Sequence, residues 1–198
     1  MMWIALGSLA LGVLFGSLLL SPEMAASMDT LMSYALILLL VSVGIEVGTN
    51  KIVFRKIREY HVKILVIPFG VAVGSIAGGV LLGILLGDAP NVSAAIASGL
   101  GFYSVSAVIL RELGGSNLGT LAFMTNVFRE LLAFLLIPLI AKYLGYYTAI
   151  APSGATAMDT TLPAIAKSTD HETALMAVIT GVVLTALVPI LVPVLFQL

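Results

Sequence analysis

Apolar residues fall along this chain in seven long blocks, and the polar residues gather in the short stretches between them. The blocks are Trp3–Leu20, Thr30–Val47, Ile64–Leu86, Val92–Leu110, Leu118–Tyr143, Ala151–Ser168 and Thr173–Phe196. Several reach or approach the ~20 residues that carry an α-helix across a bilayer. The pattern predicts an all-α integral membrane protein of about seven hydrophobic segments, forming a single domain over residues 1–198. Segments four and six read as interrupted helices. The fourth, ASGLGFYSVSAVIL (97–110), carries Gly99 and Gly101, and the sixth, APSGATAMDTTLPAIAKST (151–169), carries Pro152, Gly154 and Pro163. Proline has no N–H for the helical ladder, and its ring clashes with the preceding turn. The first block reads as a span, not a cleaved leader, because no positive charge precedes it.

Composition supports the membrane reading. The chain is 60% hydrophobic and only 10% charged, with a mean hydropathy of +1.16, where soluble domains carry about 25% charged residues. The absence of cysteine excludes disulfides, thiolate metal sites and cysteine nucleophiles. His61 and His171 lie in polar loops, so no metal centre or cofactor is expected. A net charge of −1 gives no pointer to nucleic acid.

Charge placement orients the spans. NKIVFRKIREYHVK (50–63) holds Lys51, Arg55, Lys56, Arg58 and Lys63, five of the nine basic residues. The positive-inside rule puts this loop in the cytoplasm. Simple alternation then puts Arg111 and Lys167 inside, and Asp88 and KYLGYY (142–147) outside. The expected topology is multi-pass in the cell membrane, with the N-terminus inside and the C-terminus outside if segment six crosses fully. Small residues every four positions also stand out: Gly70, Gly74 and Gly78; Gly79, Gly83 and Gly87; Ser8, Gly12 and Gly16. Such spacing lets helices approach closely, within one chain or across a homo-oligomer seam.

Four ionisable residues lie in or near the spans: Glu46, Arg129, Glu130 and Asp159. A charge at mid-bilayer costs about 2.5–3.5 kcal/mol on insertion scales, so such residues face cavities and mark pathways. Asp159 sits in the broken sixth segment. If the helix continued, Pro163 would leave the Asp159 carbonyl unpaired, and Thr156, Thr160 and Thr161 add oxygens for a cation. Two interrupted segments, the other bearing Ser104 and Ser106, form a transporter's midplane device. Asn126 and Glu130 are four apart and share one face of segment five. Arg129 points about 100° away from Glu130 around the helix. It is a candidate to hold Asp159, to receive a substrate carboxylate, or to pair structurally. Glu46, in VSVGIEVGTN (41–50), is close enough to the cytoplasmic end to snorkel.

The segments VGIEVGTN, ASGLGFYSVSAVIL, TNVFRELLAFLLIPLI and GATAMDTTLP, in that order, resemble the LysO-type lysine exporter family over essentially the whole chain. The resemblance implies export of L-lysine and its analogue thialysine, essential acidic residues that fall by motif on Glu130 and Asp159, and a fold with crossed, broken helices. Full-length members of the family carry about three further N-terminal spans. The expectation is therefore a chain completed by a partner chain or by dimerising, or one half of a split transporter.

The charges suggest a mechanism. Asp159, Glu130 and Arg129 sum to −1, and either one lysine or one proton brings the site to zero. Lysine/proton exchange follows, at roughly one for one. Other readings are a passive channel, a carrier for another small cation or amino acid, and a sodium-coupled carrier of organic anions, which the acidic pair disfavours. An enzyme is not expected. Asp159 is the one mid-span aspartate, where an aspartyl protease needs two, and no histidine lies within a span to serve a serine protease.

Overall fold

The computed structural model describes residues 65–198 continuously and, before them, Gly7, Leu11, Gly12, Leu14, Phe15, Leu31, Tyr34, Ala35, Ile37, Leu38, Val41, Ser42, Ile45, Gly48 and Thr49, all helical. Its contacts divide the chain into two compact units, Met1–Leu39 and Leu40–Leu198. Spans one and two, the basic loop and Glu46 lie largely outside the described residues.

The described part of the second unit is all helical. It contains α1 (Val66–Leu86), α2 (Pro90–Ala97), α3 (Tyr103–Gly114), α4 (Ser116–Tyr143), α5 (Leu162–Ser168) and α6 (His171–Phe196). Two 3₁₀ turns, Tyr147–Ile150 and Gly154–Met158, lie between α4 and α5. Among the described residues, α1, α4 and α6 are the three helices long and apolar enough to cross a membrane.

Segment four does not cross. Pro90 opens α2 in its first turn, where a missing N–H costs nothing. The chain runs up α2, turns at residues 98–102 and comes back down α3. Both ends of this hairpin meet the end of α6. The Asn91 amide donates to the Phe196 carbonyl at 3.0 Å, and a Cβ on Gly114 would lie 3.1 Å from the Phe196 ring. At 1.5 Å per residue the 12 residues of α3 rise about 18 Å, just over half of a ~30 Å hydrocarbon core.

Segment six also turns back. Tyr147, before it, donates its hydroxyl proton to Oε1 of Glu172, after it, at 3.0 Å. Lys142 and Tyr146 line one groove together with Lys167 and Ser168. Segment four, expected to cross, and segment six, for which crossing was a condition, are thus both re-entrant hairpins, here hairpin A (90–114) and hairpin B (147–168), entering from opposite ends. This corrects the alternation reading: Arg111 shares an end with Asp88, and Lys167 shares the other with Lys142 and Tyr143–Tyr147. The physical reason is that an apolar run of 18 or 19 residues is long enough to span, yet a break at its middle lets the chain reverse. The hairpins also meet tip to tip, where the family resemblance implied crossed helices.

Spanning helices hold the hairpins by close approach. Gly79 and Gly83 of α1 face Ala97 and Ser93 of α2, and Gly181 of α6 faces Met158 N and Ala155 O. The companion row Gly70, Gly74 and Gly78 has nothing within 4 Å of where a Cβ would stand. Ala133, Ile137, Ala141, Ala149, Ile150, Ala157, Ile165 and Ala177 form a continuous core between α4, hairpin B and α6.

Candidate functional site

The site lies where the two tips meet α4. Ala155 N–H donates to Leu100 O at 2.8 Å, joining tip to tip. The contact needs Gly154, whose φ is +61° and whose Cβ would stand 2.1 Å from Leu100 O. Leu100 itself has φ +50° and Gly101 has φ +90°. Left-handed backbone is unfavourable for ordinary L-residues, so tertiary contacts hold Leu100 there.

Helix α4 passes beside both tips. Its buried residues Gly119, Ala122, Asn126, Glu130, Ala133, Ile137 and Ala141 recur every three or four positions, with Val127 beside them, forming one inward face. Leu121, Phe128, Leu132, Leu135 and Leu139 on the other faces are more than half exposed, as suits lipid contact. Glu130 sits close to midway along this 28-residue helix.

Asn126, 2% exposed, secures tip A. Its Oδ1 accepts from Gly101 N–H at 2.7 Å, and its Nδ2 donates to Ala122 O at 2.9 Å and more weakly to Ile96 O at 3.4 Å. Asn126 and Glu130 share the inward face of α4, and Asn126 spends its groups on backbone and, at 3.5 Å, on the Ser106 hydroxyl. Ser104 is half-buried in the first turn of α3.

Tip B is knitted by its own threonines. Thr156 Oγ1 donates to Ser153 O at 2.8 Å, and Thr161 Oγ1 to Thr156 O at 2.9 Å. The helix does not continue from Asp159 into Pro163. Asp159 has φ −135° and ψ −88°, and α5 starts afresh at Leu162 with Pro163 in its first turn. The Asp159 carbonyl therefore accepts from Leu162 N–H at 3.3 Å, correcting the expectation of an unpaired carbonyl.

Glu130 and Asp159 lie within electrostatic range of each other. Glu130 is 2% exposed, and its Oε1 has no hydrogen-bond partner among the described residues. Thr160 neighbours its carboxylate, and Asp159 is within electrostatic range of it. Asp159 is exposed; its Oδ1 accepts from the Thr160 N–H and from the Thr160 hydroxyl at 3.3 Å. The hydrogen bonds of Thr160 thus go to Asp159, the residue before it. A buried carboxylate oxygen without a partner is costly, and it is placed to accept a hydrogen bond from a donor that enters the site.

Arg129 is not drawn into this pair. Its Nε donates to Pro152 O at 3.1 Å, Nη2 to Ala151 O at 3.2 Å and Nη1 to Ser75 Oγ at 2.9 Å. Sequence reasoning missed Tyr103. Its phenol lies within electrostatic range of both Glu130 and Asp159, and its ring packs edge-on against Phe123 at 5.4 Å between centroids. The available signal was its place as first residue of the helix after the Gly99–Gly101 break.

The comparisons agree on one family. A family model described as lysine exporter LysO matches residues 6–196. Lysine exporter LysO of Escherichia coli is 36% identical over 159 residues, covering 80% of this chain and 52% of that protein. A protein of Haemophilus influenzae named as a candidate lysine exporter is 35% identical over 158 residues, covering 80% of each. The chain thus spans about half the length of the Escherichia coli relative. No solved structure matches.

Proposed function

The chain belongs to the lysine exporter LysO family, and on that premise we propose that it is a secondary transporter moving L-lysine out of the cytoplasm in exchange for protons, a carrier and not an enzyme. The observation that carries this reading is buried Glu130, with an oxygen unpartnered among the described residues, on the helix that passes the contact between two re-entrant tips and within electrostatic range of Asp159. Glu130 and Asp159 hold either the substrate's cationic end or a proton. The Tyr103 ring adds a face for an ammonium group. Asp159, Glu130 and Arg129 sum to −1, so one lysine or one proton neutralises the set, and empty charged states are disfavoured. Net exchange is then one lysine for one proton and electrically silent; transport that changed with voltage at fixed pH gradient would contradict that ratio.

The basic loop 50–63 precedes Leu65 directly, so the positive-inside rule orients the hairpins too. Hairpin B then opens from the cytoplasmic end, with Lys142 and Lys167, and hairpin A from the outer end, with Arg111. The C-terminus stays outside, because two re-entrant segments change the parity no more than two crossings do. The partner we propose is a second copy, or a partner chain with further spans.

Labelled-lysine counterflow in proteoliposomes tests the reading, with Glu130→Gln and Asp159→Asn alongside. Counterflow by the parent that falls at least ~100-fold in each variant is expected if both acids contact the cation in a dry site. Undiminished counterflow in both variants would remove the acidic pair from the mechanism. A folded parent without counterflow, regained on adding the extra spans of a longer relative, would identify a required partner.

A further inference from the structure

We propose that Arg129 is a positioning residue. It clamps hairpin B against α4 and α1, and so sets Asp159 against Glu130. The guanidinium joins three elements: its own helix α4, Ser75 on α1, and the consecutive carbonyls of Ala151 and Pro152 in the descending arm of hairpin B. A planar fork of donors matches two adjacent carbonyls in a way that an ammonium cannot. The grip extends to the tip itself, since a Cβ on Gly154 would lie 3.2 Å from Nη2, and the next residue, Ala155, makes the tip-to-tip bond to Leu100 O.

Direct substrate contact fits the geometry less well. Arg129 neighbours Glu130 in sequence but points about 100° away. It lines a groove shared with Phe128, Leu132 and Leu136, whose side chains are exposed on the apolar flank of α4. Its three bonds go to two carbonyls and a hydroxyl, whereas Glu130 lies on the buried face of α4 within electrostatic range of Asp159. Asn126 makes the corresponding tie to tip A, one turn earlier on the same helix.

The native chain has no cysteine, so single thiols report cleanly. Ser153→Cys reports on hairpin B and Ser106→Cys on hairpin A; the two serines are 1% and 0% exposed. Maleimide labelling of the full chain in proteoliposomes is the readout. With Arg129→Gln, labelling at 153 should rise about tenfold while 106 stays within about twofold, as local opening of one hairpin requires. Arg129→Lys should recover part of the protection. If Arg129→Gln does not accumulate, Ser75→Ala removes one of the three bonds and should raise labelling at 153 alone, by about threefold. Unchanged labelling at 153, or an equal rise at both reporters, overturns the proposal.

A transport arm rests on the lysine reading above. Lysine counterflow by Arg129→Gln should lose maximal rate with KM within about twofold, and the preference for lysine over 1,5-diaminopentane should persist. A rise confined to the lysine KM, with that preference lost, would make Arg129 the receptor for the substrate carboxylate and overturn the proposal. A parent inactive toward lysine defeats the functional reading, and the labelling arm still decides the clamp.

Discussion

Hairpins A and B do the same topological job with different materials. Hairpin A is two regular α-helices of 8 and 12 residues joined by a five-residue tip. Hairpin B is two 3₁₀ turns and a seven-residue helix. Tip A carries no ionisable side chain and is held by one neutral amide, Asn126. Tip B carries Asp159 and is held by internal threonine bonds and by the charge of Arg129. The difference teaches where charge can be placed in a membrane. Asp159 draws on irregular backbone, whose Thr160 N–H and hydroxyl serve it, whereas Glu130 is carried by the regular helix α4 with one oxygen unpartnered among the described residues; irregular backbone is tolerated at depth only when packed in protein or lining a cavity. Hairpin A acts as the regular wall against which hairpin B is set.

The contrast can be broken most forcefully at the contact between tips. Gly154→Val should abolish the folded protein or nearly so, because it adds a left-handed β-branched residue and places Cβ on Leu100 O. The conformational cost alone is about 1–3 kcal/mol before the clash. Thermal unfolding in detergent and counterflow both check it, and a variant as stable as the parent would refute the tip contact.

Asn126→Ala comes next. It leaves Gly101 N–H buried without its partner, at about 1–3 kcal/mol. The loss should appear as increased labelling at Ser106→Cys with Ser153→Cys unchanged, the reverse of the Arg129 pattern. Labelling that rose at both positions would mean that the hairpins are not separately anchored.

A smaller effect separates packed from open glycines. Gly181→Ala forces a methyl toward Met158 N and Ala155 O and should cost about 1–3 kcal/mol by overpacking. Gly74→Ala has open space and should be neutral, or stabilising by up to ~1 kcal/mol through helix propensity. Paired melting curves give the sign of each.

The smallest effect is at the foot of α6, beside the end of hairpin B. Asp170 caps the helix, accepting from Thr173 N–H at 2.7 Å. That bond holds its carboxyl below the ordinary aspartate range. A depressed folded pKa adds stability above the unfolded value, which is lost as pH falls through the folded one. Asp170→Ala should lower the melting temperature slightly at neutral pH, and the gap to the parent should close under acid conditions. A gap that persisted at low pH would deny the cap its electrostatic origin.

Much of the site was legible in the residues. Glycine and proline at 99, 101, 152, 154 and 163 mark both breaks because each acts through local backbone chemistry. Glu130 and Asp159 stood out because charge in hydrocarbon is expensive wherever the chain goes. Thr160 followed as an oxygen next to Asp159. Asn126 was recognised as inward-facing from its spacing to Glu130, but its partners are Gly101, 25 residues away, and Ile96, 30 away. Arg129 shows the same limit, since its carbonyl partners lie 22 and 23 residues on and its hydroxyl partner 54 back.

The sequence by itself determined that this is a helical membrane protein, that two of its segments break, and that two acids lie within the hydrocarbon depth. Those properties follow from apolar run length, the missing N–H of proline, and the cost of burying charge, all of which act at or near the residue concerned. Only the tertiary structure decided that the broken segments fold back, that Asn126 and Arg129 each bond to the backbone of one of them, and that Tyr103 lies within electrostatic range of the acids. An apolar run is equally suited to crossing or returning. The choice is made by which distant helix the turned chain packs against and which distant backbone groups a side chain can satisfy.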